Sequence, residues 1–267
     1  MKFLKVGLVV FGALVLTTLG ISASDVFSNS AGSLLGQLTE SSERSCPVGM
    51  GEVVVGQTFS CVDLYEVSPG ENCPVRSPQS KKETQNNLNT LKCMAESRAD
   101  VQPWTYVTRS QAQALCARAG KRLPTSAEWF VIAAGTLDTE GVCNTNTGTA
   151  ADTGEYEQCI SGVQAYDTVG NVWEWVADDV VDGMFAGRVL PEEGYVGQVD
   201  TSGVAVYTTV RPSDEFGADY FWSESEGIYS VLRGGFYGSG EDAGVYAVHS
   251  RTLPTAATVA IGFRCVQ

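Results

Sequence analysis

Apolar and polar residues change rhythm several times along this chain, and each rhythm predicts a different element. Lys2 and Lys5 precede an apolar run over residues 6–21, closed by the small residues Ser22, Ala23 and Ser24. This is the pattern of a secretory signal cut after Ala23, or of an uncleaved N-terminal membrane anchor over residues 1–23. Residues 24–45 mix Ser, Gly and Thr with scattered apolar positions, the composition of a flexible linker. From Cys46 the period becomes two: Val53, Val55, Phe59, Val62 and Tyr65 alternate around Gly56 and Gln57, predicting a two-stranded hairpin that a Cys46 to Cys61 bond would staple. Polar residues 77–89 carry no apolar stripe and read as a surface loop, which Cys73 and Cys93 are close enough in sequence to close.

Beyond Thr108 the period lengthens to that of a helix. Thr108 with Gln111 forms a capping box, Gly120 supplies the C-terminal stop, and Ala112, Leu115, Cys116 and Ala119 share one face. Pro124 then leads into a second capping box, Thr125 with Glu128, opening a helix that turns Trp129, Ile132 and Ala133 inward. Residues 136–164 form a Gly, Thr and Asn loop in which Cys143 and Cys159 are expected to bond. Residues 178–230 read as a second irregular stretch, packed down by Tyr220, Phe221 and Trp222. Two short helices and a loop-rich, Gly-containing remainder predict one mixed α+β domain over residues 46–267 with little regular structure.

Composition narrows the chemistry. The 267 residues carry 31 acidic against 17 basic side chains, a formal charge of −14 and a pI near 4.4, which disfavours nucleic acid and anionic lipid headgroups as partners. Eight cysteines in a chain with an export signal point to four disulfides. A zinc site is disfavoured, because no CxxC pair occurs and His249 is the sole histidine.

Four segments in one order carry a family likeness: VDLYEV at 62–67, AQALCARAGKRLPTSAEW at 112–129, YDTVGNVWEW at 166–175, and LRGGFY with IGFRCV toward the C-terminus. The chain resembles the formylglycine-generating enzyme, or sulfatase-modifying-factor, family, whose domain is a variant of the C-type-lectin fold. The resemblance implies an irregular, loop-rich, disulfide-stapled α+β fold with a bond between Cys116 and Cys265. It also implies a structural calcium ion held by Asp167, the carbonyls of Gly170 and Val172, and Glu174, hard oxygen ligands of the kind calcium takes. A second family calcium site falls near Asn144 and Thr145, where the loop diverges.

Catalysis is where the likeness breaks. The family oxidase holds copper through two cysteine thiolates shortly after RGG, whereas residues 236–251 here read FYGSGEDAGVYAVHSR and contain none. A related branch holds iron through several histidines, which this chain does not have, so neither copper nor iron is expected. Ser250 beside His249 does not make a hydrolase triad. The leading reading is an exported, extracytoplasmic, non-catalytic ligand-binding or scaffold domain, secreted or tethered by its N-terminus, with an extracellular protein or glycan as partner. Its ligand face is expected at Tyr237, Glu241, Asp242, Tyr246, His249 and Arg251. The alternatives are a divergent oxidase of the same type, and a diversified receptor protein of a diversity-generating retroelement, whose variable positions lie between the RGG and GFR motifs.

Overall fold

A computed structural model describes residues 46–53, 57–139 and 141–267. The signal or anchor over 1–23, the linker over 24–45, and Val55 and Gly56 of the expected hairpin lie outside the described residues. Among the described residues no helix is long and apolar enough to cross a membrane.

A two-stranded hairpin forms in this stretch, although of the described alternating residues named for it only Val62 lies within a strand. Strand β1 (Met50–Glu52) runs antiparallel to β2 (Cys61–Asp63), with Met50 opposite Asp63, and Cys46 is bonded to Cys61. Strands β3 (Val67–Pro69) and β4 (Ala95–Ser97) pair antiparallel. Between them the structure corrects the expected surface loop at 77–89: residues Lys81–Asn89 form helix α1, capped by Ser80 on the Glu83 N–H. Its inward face is polar. Buried Thr84 accepts a hydrogen bond from Trp104 Nε1 at 3.1 Å, while buried Asn87 takes the Val75 N–H at 2.9 Å and donates to the Val75 carbonyl at 2.8 Å. The Cys73 to Cys93 bond closes this segment.

Helices α2 (Arg109–Arg118) and α3 (Ser126–Ala133) each carry a complete capping box, at Thr108 with Gln111 and at Thr125 with Glu128. Gly120 lies just past α2 at a φ of +72°, a left-handed conformation suited to glycine. Leu115 and Cys116 of α2, and Trp129, Ile132 and Ala133 of α3, are buried.

The second correction concerns residues 178–230, which hold strands where an irregular stretch is expected. Nine strands make one sheet: β5 (Trp173–Val181), β6 (Met184–Phe185), β7 (Arg188–Val189), β8 (Gly194–Val199), β9 (Ala205–Thr209), β10 (Tyr220–Ser223), β11 (Ile228–Arg233), β12 (Val248–Thr252) and β13 (Ile261–Gly262). Their order is β7-β6-β5-β11-β12-β10-β8-β9, with β13 parallel to β5. One sheet face buries Val176, Val180, Val196, Phe221, Val231 and Val248 together with Trp129. A second apolar cluster joins Trp104, Leu115, Trp175 and Phe263 and contains the Cys116 to Cys265 bond that ties the C-terminus to α2. The 136–164 loop is closed by Cys143 and Cys159, so all eight cysteines are paired.

Candidate ligand face

The sequence motifs converge on one buried ion pair. Arg264, from the GFRC segment, places its guanidinium on the Glu174 carboxylate, with Nε 2.8 Å from both oxygens and Nη2 2.5 Å from Oε1; both side chains are essentially inaccessible to water. Trp129, from the RLPTSAEW segment, donates its indole N–H to Glu174 Oε2 at 2.6 Å. Arg264 further donates to the carbonyls of Asp63 and Tyr166. Burying two charges is costly unless each is paired and hydrogen-bonded, and here both are.

This junction bears on the calcium expectation. Asp167, Gly170, Val172 and Glu174 do lie on one turn and the strand that follows it, and Asp167 is buried, with its carboxyl pushed up to about 7 by desolvation. However, Glu174 has both oxygens filled by Arg264 and Trp129, and Asp167 Oδ2 accepts the Gly154 N–H at 2.7 Å. This donor set does not fit the calcium ion that the resemblance implies. The carboxylates brace the turn instead, joined by buried Glu66, which takes the Asn171 side-chain amide and the Val172 N–H. Asn144 is likewise spent on the turn, donating to the Thr149 carbonyl and to Asn171 Oδ1. Among the described residues no group of three or more His, Cys, Asp and Glu side chains is placed to hold a metal ion.

On the sheet face opposite Phe221 and Val248, register creates a row of aromatic rings. Tyr220 sits across from Tyr195, and Trp222 across from His249. Ring centroids follow one another at 5.1 Å from Tyr195 to Tyr220, 4.8 Å to Trp222, 5.5 Å to His249 and 5.7 Å to Trp173. Trp173 is buried and roots the row, whereas the other four are half-buried. Exposed Arg251 and Glu193 pair at 2.7 Å on β12 and beside β8. His249 Nδ1 lies 2.8 Å from the Thr252 hydroxyl, and burial together with the Arg251 charge lowers the imidazole to about 4. The imidazole is therefore neutral at physiological pH and packs as one more flat ring.

The six residues expected to form the ligand face fall in four places. His249 and Arg251 belong to the aromatic row, and the Asp242 charge is felt by Tyr220. Tyr246 packs instead against Phe130 and Phe216, and Glu241 lines a separate acidic cleft. Tyr237 rests on Phe236, its carbonyl accepting the Thr147 and Gly148 N–H groups. Tyr195 and Glu193 were not among the sequence candidates. Period-two spacing of Tyr220 and Trp222 around Phe221 was the available signal, and it is masked because only four residues separate the turn before β10 from its end.

A family model for the sulfatase-modifying factor enzyme 1-like domain matches residues 50–267. A formylglycine-generating enzyme of Thermomonospora curvata is 37% identical over 100 residues, covering 28% of this chain and 33% of that protein, so the match spans about a third of the relative's length. Among solved structures, the Treponema denticola variable protein 1 is similar with a TM-score of 0.45 and 14% identity, over 83% of this chain and 92% of that one. The P3c variant of the Major Tropism Determinant is similar with a TM-score of 0.42 and 16% identity, over 82% of this chain and 55% of that one.

Proposed function

The chain belongs to the sulfatase-modifying factor enzyme 1-like family, whose model spans residues 50–267, and on that basis we propose that it is a non-catalytic ligand-binding domain working outside the cytoplasm. The observation that carries the reading is the aromatic row on β8, β10 and β12. Tyr and Trp side chains give large contact area at low conformational-entropy cost, and the adjoining Arg251 and Glu193 supply charged, directional contacts at the rim. Such a platform suits an extracellular protein segment or a glycan, which present apolar faces between hydrogen-bonding groups.

Thiol chemistry points the same way. Copper(I) needs soft thiolate ligands, and in this chain every cysteine is held in a disulfide, with none between Phe236 and Arg251. Four disulfides are the usage of an oxidising compartment, in keeping with the apolar N-terminal run as an export signal or anchor.

The test is binding of the full chain to panels of glycans and secreted or envelope proteins, comparing wild type with Trp222→Ala and Tyr220→Ala. A saturable ligand that either substitution weakens by about 2 kcal/mol, more than tenfold in Kd, supports the reading. Stoichiometric copper or iron in the purified protein, with oxidation of a peptidyl cysteine, would establish the divergent oxidase instead.

A further inference from the structure

We propose that Asp138 and Asp219 form a binding site for a hard divalent cation of the calcium class, at the floor of an acidic cleft distinct from the aromatic row. Asp138 follows α3 in the 136–164 loop, and Asp219 immediately precedes β10. The two carboxylates face one another. A Cβ on Gly217 would stand 2.5 Å from Asp138 Oδ2 and 3.3 Å from Asp219 Oδ1, and a Cβ on Gly244 would overlap both of those oxygens. Glycine at both positions thus lets backbone close around the point where the two oxygens converge.

No donor of the chain occupies that point. Asp219 is fully buried; its Oδ2 accepts the Tyr246 N–H at 2.6 Å, whereas its Oδ1 faces only the Asp138 carboxyl and takes no hydrogen bond from any N–H or hydroxyl among the described residues. Arg233 attracts Asp219 electrostatically, yet its terminal nitrogens are spent on Ser126, Gly203 and Val245. A buried acceptor left unmatched opposite a second acceptor is unfavourable, and a cation between them removes both the missing partner and the repulsion. Burial raises both carboxyl groups, Asp138 to about 6, and the facing Asp138 charge raises Asp219 further, against the weaker opposing pull of Arg233.

The surroundings fit the same ligand. The cleft, about 630 Å³, is lined beside Asp138 by Thr139, Thr145, Asn146, Asp214 and Glu241, with no lysine or arginine among its described lining residues. Calcium takes six to eight oxygens with flexible geometry, so two carboxylates supply the charge, and hydroxyl, amide, main-chain or water oxygens complete the shell. Glu241, expected in the sequence as a ligand-face residue, thereby gains a place at the mouth of a cation site.

Calorimetric titration of calcium alone into the chelator-stripped full chain at neutral pH tests the proposal, using wild type, Asp138→Asn, Asp219→Asn and Asp167→Asn. The expected result is one ion per chain, with affinity falling at least about tenfold in Asp138→Asn and in Asp219→Asn and unchanged in Asp167→Asn. Asp138 is only partly buried, so Asp138→Asn reads the site even where Asp219→Asn impairs folding. No calcium binding to wild type overturns the proposal, and a pair that simply shares a proton gives that result. Binding undisturbed by Asp138→Asn, or abolished by Asp167→Asn, also overturns it by locating the ion elsewhere.

Discussion

At the scale of single residues, His249 illustrates how environment recasts chemistry. As the sole histidine it invites a catalytic or metal-binding reading, yet its ring is packed between Trp173 and Trp222, and its folded-state pKa drops to about 4 from an ordinary value of 6.5. A base with a depressed folded pKa contributes stability that is present above pH 6.5 and lost as pH falls toward 4, because the unfolded chain takes the proton first. Asp138 and Asp167, raised to about 6 and about 7, act in the opposite sense in both proteins, so the expected outcome is the difference: across this window the melting temperature of wild type should fall with acidification relative to that of His249→Gln. An equally steep fall in both proteins would place the titration on other groups. The residues that define the buried junction were legible in the sequence as motifs, since Trp129, Glu174 and Arg264 come from three of them. Their role was not: Glu174 looked like an oxygen ligand on a turn, and nothing in the chain order discloses that Arg264, 90 residues away, fills both its oxygens.

At the scale of elements, capping chemistry was readable and polar packing was not. Both Thr-led capping boxes form where the sequence puts them, because a cap is a local hydrogen-bond pattern within four residues. Helix α1 escaped because its buried side is Thr84 and Asn87, so the hydrophobic period that marks most helices is missing. Asn87 stands in for backbone partners of Val75, and Asn87→Ala leaves a N–H and a carbonyl in the interior without them. The expected cost is about 1–3 kcal/mol in chemical denaturation, with an unchanged m-value. A loss below a few tenths would mean the Val75 groups find water. Strands β8 to β10 were hidden for a different reason. Gly194 and Gly197 dilute the alternation in β8, while β10 keeps aromatic side chains on both faces, so the period-two contrast between apolar and polar never develops.

At the scale of the whole molecule, the disulfides divide into three local staples and one long tie. Cys46–Cys61, Cys73–Cys93 and Cys143–Cys159 close 15 to 20 residues, whereas Cys116–Cys265 closes 149. In the chain-entropy picture a 15-residue loop stabilises by about 3 kcal/mol and the longest tie by roughly 5, so removing Cys116 and Cys265 together should lower stability more than removing any local pair. Comparable losses from all four would show that native-state strain or residual structure, not loop closure, sets the scale. The long tie holds the C-terminal strand beside β5, where Ile261 pairs with Trp173, the buried root of the aromatic row. Framework and aromatic row are in this way one structure: the sheet register that aligns Tyr195, Tyr220, Trp222 and His249 depends on the core that the motifs and disulfides assemble.

Binding through that row, without catalysis, is the function proposed for this family member. Its most direct test is the ligand-panel measurement on the full chain with Trp222→Ala as comparator, paired with melting curves to confirm that the variant folds. A specific, saturable partner of wild type that Trp222→Ala loses by more than about tenfold is the predicted result. A partner bound equally well by the variant, or turnover of a peptidyl cysteine by wild type, would contradict it.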